Sequence, residues 1–134
     1  MPASSVFFDS NVLLYILGSE PAKAERASEL LAAGGTVSVQ VLNEIAAVAR
    51  RKGGLTWGQI REVLTTIRST CVVVGLDVTI HELGLDLAER YRLSLYDAMV
   101  LAAASHSGCQ VLFSEDLQDG QRLAGLTVRN PFRN

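Results

Sequence analysis

Cysteine and histidine are both scarce, with two of each in 134 residues. Cys71 and Cys109 are too few for a zinc site built on thiolates, and both lie beside expected strands, where reduced, buried side chains fit. His81 and His106 stand alone, without the H-E-x-x-H spacing of a helical zinc site, and read as structural. The glycine pairs Gly34-Gly35 and Gly53-Gly54 lack the lysine and spacing of a phosphate-binding loop, so they read as helix terminators. No serine occupies a G-x-S-x-G turn. The N-terminus shows no basic segment followed by a long apolar core and a small-residue cleavage site, so a cytoplasmic location is expected. Long apolar runs are missing too. The longest stretch without formal charge, 98–114, carries Ser105, His106, Ser107, Gly108 and Gln110 in its second half, which a membrane-spanning helix would not tolerate. It reads as a buried helix followed by a strand, and no membrane association is expected.

What remains is ordinary globular material, 49% hydrophobic and 19% charged. The length fits one domain, 1–134, able to bury a core without disulfides or structural metal. The net charge of −2 would argue against a nucleic-acid partner, but four acids discussed below distort it. Removing them from the 14 acids leaves 10 against 12 Lys and Arg. Binding to a phosphate backbone depends on local basic patches more than on total charge.

Short strands alternate with amphipathic helices, the pattern of a parallel sheet covered on both faces. Strands are expected at Val6-Phe7-Phe8, Thr36-Val37-Ser38-Val39, Cys71-Val72-Val73-Val74, Val111-Leu112-Phe113 and Thr127-Val128-Arg129. A helix starts after Asp9, and Pro21 opens a second that ends at Gly34-Gly35. A third buries Leu42, Ile45, Ala46 and Ala49 and finishes on Arg50-Arg51-Lys52 before Gly53-Gly54. Those cations fit the helix dipole and a track for an RNA backbone equally well. Thr56 with Gln59, and Thr79 with Glu82, resemble capping boxes for two further helices. Trp57 reads as a packing residue at a helix start. The helix after Ser94 has no polar stripe across Ala98-Met99-Val100-Leu101-Ala102-Ala103-Ala104, so it should be packed on several sides.

Four acids fall where apolar runs give way to helix starts. Asp9 closes the first strand, Glu44 comes shortly after the second, Asp97 opens the apolar helix, and Asp116 follows the fourth strand. Each alone fits a plainer role. Asp9 and Asp116 suit N-caps, Ser94 to Asp97 fits a capping box, and Glu44 fits a solvated surface acid. Together they suggest a shared site. Acids at the carboxyl ends of parallel strands converge where open α/β sheets bind ligands, and they repel unless divalent cations bridge them. Phosphodiester hydrolysis at neutral pH needs an activated water and neutralised phosphate charge, which one or two Mg²⁺ ions supply. Mg²⁺ keeps several waters and is held by few carboxylates, so no histidine need take part.

Asp9-Ser10-Asn11 after the first strand, Asn43-Glu44 early in a helix after the second, Tyr96-Asp97-Ala98 opening an apolar helix, and Ser114-Glu115-Asp116 after the fourth strand resemble, in order and spacing, the PIN-domain ribonucleases. The resemblance covers essentially the whole chain, whose size and single-domain form are similar to the VapC toxins of bacterial toxin–antitoxin pairs. It implies a three-layer α/β/α sandwich with a central, mainly parallel sheet of four to five strands. It also implies Mg²⁺ or Mn²⁺ held by Asp9, Glu44, Asp97 and Asp116, an RNA substrate, a cognate antitoxin and a homodimer. Asp9 would be the central ligand, Asp97 and Asp116 would complete the metal sites, and Glu44 would hold or orient the attacking water. Ser10, Asn11 and Ser114 match polar positions that hydrogen-bond the carboxylates or the substrate. Asp119 is an extra acid, either a further ligand or a solvated loop residue beside Gly120. The common toxin form has a phenylalanine where Gly120 stands, so this loop differs.

Two other readings compete. A catalytically silent PIN-like module binding RNA or protein would usually lack one of the four acids, and this chain keeps them all. A phosphatase with Asp9 as covalent nucleophile would need an aspartate at position 11, which is Asn11.

Overall fold

The computed structural model describes residues 5–133; residues 1–4 and 134 of the expected domain lie outside the described residues. The apolar run Val6–Phe8 forms β1, which is buried throughout. It pairs in parallel with β2 (Gly35–Ser38) on one side and with β4 (Val111–Phe113) on the other. Beyond β2 lies β3 (Cys71–Val74), and beyond β4 lie β6 (Leu126–Arg129) and then β5 (Arg122–Leu123). The order is β3-β2-β1-β4-β6-β5, parallel except for the β5–β6 pair. Strands β1 to β3 run outward one way and β4 starts the other, so the sheet changes direction between β1 and β4. Loops at such a switch point diverge and leave a crevice at the carboxyl edge.

The helices are α1 (Ser10–Leu14), continued by a 3-10 turn (Tyr15–Leu17), α2 (Pro21–Ala33), α3 (Val39–Arg51), α4 (Trp57–Thr70), α5 (Val78–Tyr91) and α6 (Leu95–His106). Helices α1 to α4 pack among themselves and α5 packs along α6, giving a three-layer α/β/α sandwich. No described helix is long and apolar enough to cross a membrane. Ala98 to Ala104 of α6 are all buried, as the missing polar stripe predicts. Gly84 of α5 leaves no room for a Cβ against the Met99 Sδ, and this lets the two helices approach closely.

Several boundaries differ from the sequence expectation, each for a local reason. The sheet has six strands instead of four to five. The extra one, β5, is only two residues long and is joined to β6 by Ala124-Gly125, both at positive φ, the geometry of a tight hairpin turn. Val39 begins α3 because the Ser38 hydroxyl accepts from the Val41 N–H at 3.2 Å and ends β2 there. Asp77, not Thr79, caps α5, its Oδ1 accepting from the Ile80 N–H at 2.9 Å. The Thr56–Gln59 capping box forms in both directions. Trp57 is not a packing residue: it is 59% exposed, and the Arg50 guanidinium lies 5.1 Å from its ring centroid. Gly34 ends α2 at φ 86°, as a terminator should. Gly35 does something else. A Cβ there would stand 2.6 Å from the Phe8 ring, so the glycine lets β2 lie against β1.

Candidate metal centre

The residue pairs of β1 and β4 are level, Phe8 beside Phe113, so the segments that follow them leave the sheet side by side at the switch point. Asp9 and Asp116 are delivered there, and Asp97 reaches the same point from the first turn of α6. One carboxylate oxygen from each of the three lies within 4.8 Å of the others. Asp9 is buried, Asp97 half-buried and Asp116 exposed, so the group runs from the interior to the surface.

Asp9 does cap α1, its Oδ1 accepting from the Ser10 N–H at 2.7 Å. Its Oδ2 accepts from the Ser114 hydroxyl at 2.8 Å and from the Asn11 amide at 3.3 Å. Cap and cluster member are thus the same side chain. Burial still wins over these hydrogen bonds. It pushes the Asp9 pKa from 3.8 up to about 7, with Asp116 and Glu44 adding repulsion. Ser94 caps α6 by accepting from the Asp97 N–H at 3.2 Å. The Asp97 carboxylate faces the other acids.

Glu44 stands on α3 beside this group. Burial raises its pKa, hydrogen bonds from Gln40 and Ser10 oppose the rise, and Asp97 and Asp116 add to it. Its Oε1 is the one buried side-chain oxygen without a hydrogen-bond partner among the described residues. Gln40, one turn earlier on α3, donates to the Tyr96 carbonyl at 3.2 Å and so ties the start of α6 to α3. The open groove beside Glu44, about 540 Å³, is lined by Gln40, Asn43, Ala47, Arg51, Leu76 and Tyr96 as well.

The three small polar residues surround Asp9. Ser10 is buried behind it. Asn11 bridges Asp9 to the fourth-strand loop, its Oδ1 accepting from the Glu115 N–H at 3.1 Å. Ser114, fully buried, donates to Asp9 and accepts from the Asp116 N–H at 3.1 Å. Asp119 lies elsewhere: it is exposed, and its Oδ1 accepts from the Asn130 N–H at 2.8 Å. Tyr15, Lys23 and Glu115 form a polar cluster behind Asp116 that sequence reading passed over. The Glu115 carboxylate raises the Tyr15 pKa by hydrogen bonding, and Lys23 opposes it. Nothing in the spacing of Tyr15 and Glu115, 100 residues apart, signals this pairing. Gln40 was more accessible, since it shares the Glu44 face of α3 one turn away.

A convergent set of oxygen donors, an unpartnered buried carboxylate oxygen and a buried aspartate that cannot easily hold its charge alone together suit a hard divalent cation. The fold and this edge define an α/β protein with three acidic side chains converging at the switch point of a parallel sheet. The family model for the PIN domain matches residues 6–124, and the chain belongs to that family. Among solved structures it is similar to a toxin–antitoxin complex from Klebsiella pneumoniae, at TM-score 0.74 and 22% identity over 97% of this chain and 100% of that one. It is also similar to VapC20 of Mycobacterium tuberculosis, described as a sarcin–ricin loop cleaving toxin, at TM-score 0.68 and 21% identity over 84% of this chain and 92% of that one. At these identities the likeness is one of fold. No curated protein matches the sequence significantly.

Proposed function

We propose that this chain is a Mg²⁺- or Mn²⁺-dependent endoribonuclease and the toxin of a toxin–antitoxin pair. The convergence of Asp9, Asp97 and Asp116 within 4.8 Å carries this reading. These three would hold the cation, with Glu44 at its side. When bound, such an ion supplies positive charge against the attacked phosphate and lowers the pKa of a ligated water. The chain's own residues do the rest. Ser114, Ser10 and Asn11 fix the Asp9 carboxylate, Asn11 and Ser114 hold the Glu115-Asp116 backbone, and Glu44, whose Oε1 has no partner among the described residues, would accept a hydrogen bond from the attacking water. Water is the nucleophile and no covalent intermediate forms.

Two surfaces support the partner reading. Val39, Leu76, Val78, Leu95 and Tyr96 are exposed apolar side chains at the starts of α3, α5 and α6, around the acids, and suit the homodimer expectation. An apolar groove of about 380 Å³ lined by Leu14, Leu17, Val48, Ala49 and Leu55 suits an antitoxin helix. We take 1–134 as one domain, which a single sheet with a continuous core favours. We place the protein in the cytoplasm, where a reduced cysteine such as Cys71 is at home.

The test incubates the purified chain with structured and unstructured RNAs in Mg²⁺, Mn²⁺ or EDTA, beside Asp9→Asn and Asp97→Asn. Cleavage should vanish in chelator and in both variants. Equal cleavage in all samples would mark contamination, and cation binding without any cleavage would favour a silent binding module.

A further inference from the structure

Asp116 sits in an irregular segment outside any strand or helix, and it is exposed. Something other than secondary structure must therefore hold its carboxylate in place. The backbone on its N-terminal side is fixed by three hydrogen bonds: Ser114 N–H to the Arg129 carbonyl, Glu115 N–H to Asn11, and Asp116 N–H to Ser114. The Glu115 side chain is held from the opposite direction. The Tyr15 hydroxyl donates to its Oε1 at 2.6 Å, and the Lys23 ammonium stands 3.3 Å from its Oε2 and 3.1 Å from the Tyr15 hydroxyl. The Phe132 ring meets Tyr15 edge-on at 4.8 Å between centroids, and the Lys23 ammonium lies 4.5 Å and 5.5 Å from the two ring centroids. Phe132 comes from the turn after β6. Its N–H is bound by Asn130, whose own N–H is bound by Asp119.

We infer that Tyr15, Lys23 and Glu115, covered by Phe132, form a brace that sets the position of the Asp116 carboxylate and so tunes cation affinity. The inference rests on the metal-dependent reading above. Lys23 and Tyr15 occupy both carboxylate oxygens of Glu115, so this acid, though next to Asp116, is engaged away from the metal centre. Releasing the Glu115 side chain removes one of the holds on the segment that aims Asp116 and frees a competing anion beside it. Phe132 lies beyond residues 6–124 matched by the family model, so the brace draws on a part of the chain outside that match. A partly exposed ion pair and one phenol hydroxyl contribute little to global stability, which separates the effect on the site from unfolding.

The test is calorimetric titration of the full chain with Mn²⁺, with thermal unfolding measured on the same samples. Tyr15→Phe and Lys23→Met should each weaken Mn²⁺ binding about threefold to tenfold, with Lys23→Arg close to wild type. Melting temperatures should stay within about 3 °C. In an Asp116→Asn background, Tyr15→Phe should cost nothing more, because the brace acts through Asp116. Wild-type protein that binds Mn²⁺, with Tyr15→Phe and Lys23→Met binding it equally tightly, would overturn the brace alone. Folded wild-type protein that binds no Mn²⁺ would overturn the brace together with the function it rests on. If Lys23→Met does not fold, the nearly isosteric Tyr15→Phe decides.

Discussion

The Ser114 hydroxyl donates to the Asp9 carboxylate at 2.8 Å, joining the end of β4 to the end of β1 across 105 residues of sequence. The same oxygen accepts from the Asp116 N–H, so one buried hydroxyl fixes two of the three converging acids. Ser114→Ala leaves the Asp9 Oδ2 with a single, longer hydrogen bond from Asn11. A loss of about 1 to 3 kcal/mol in stability follows from deleting a buried hydrogen bond to a carboxylate. Cation affinity should fall about tenfold or more, because a carboxylate without its outer partner is less well aimed. Urea unfolding and Mn²⁺ titration of the variant check both, and unchanged affinity would mean that Ser114 only packs.

Gly35 makes a prediction about the sheet that carries the site. A Cβ at this position would lie 2.6 Å from the Phe8 ring and 3.0 Å from the Val6 carbonyl oxygen, and both belong to the central strand. Phe8 is fully buried and stacked on Phe113, so it has no free direction to move. Gly35→Ala should therefore destabilise the protein by about 1 to 3 kcal/mol, the range for overpacking a close-packed interior. Gly54→Ala is the control. Its Cβ would meet nothing, though its φ of +63° adds backbone strain, so a Gly35 cost no larger than the Gly54 cost would contradict the packing argument.

Which features the sequence displayed follows from how far apart their determinants lie. β1, β3 and β4 were legible because each is a short apolar run ended by an acid or a turn, and the helix boundaries at Pro21, Gly34 and Thr56 follow from one or two residues. Asp9 and Asp116 were legible together because the parallel order places strand ends at one edge, and Asp97 because the helix it opens runs back from that same edge. The α5 cap differs because Thr79 with Glu82 has the capping-box pattern, while Asp77, two residues earlier, has the carboxylate that reaches the Ile80 N–H. β5 escaped notice because two residues carry no period. Trp57 reads as a packing residue from its type, although its neighbour in space is Arg50 on the previous helix. The Tyr15–Glu115 contact could not be read, since it exists only once β4 and the 3-10 turn are folded against each other.

Glu44 should separate binding from chemistry. It is not within the group of three whose oxygens converge, and its Oε1 has no partner. Glu44→Gln keeps the shape and removes the charge, so Mn²⁺ affinity should fall by only about threefold while kcat falls about a hundredfold or more. Asp97→Asn should lose both together. Single-turnover cleavage at saturating Mn²⁺, read beside calorimetry, distinguishes the two. Equal losses of affinity in both variants would make Glu44 a ligand of the same standing as Asp97.

Asp9 ties stability to pH in a direction opposite to that of most paired carboxylates. Its pKa is about 7 in the folded protein against 3.8 for an ordinary aspartate, chiefly through burial. Between those values the unfolded chain has released the proton while the folded one retains it, so the unfolded state binds fewer protons and stability falls as pH rises through the window. Below pH 4 this cost is absent, and above pH 7 it is complete, at about 4 kcal/mol for a gap of this size. Glu44, raised in the same sense, adds to it. Metal-free protein in EDTA should thus unfold at lower urea at pH 8 than at pH 5. Asp9→Asn has no charge to bury, so at pH 8 without metal it should be more stable than wild type, and its pH dependence should be flatter. Millimolar Mn²⁺ should restore wild-type stability at pH 8 and leave Asp9→Asn almost unmoved, since binding to the folded state alone stabilises it by mass action. Metal-free stability that rises between pH 5 and pH 8 would show that Asp9 is ionised without a cation, and the electrostatic basis for a bound ion would go with it.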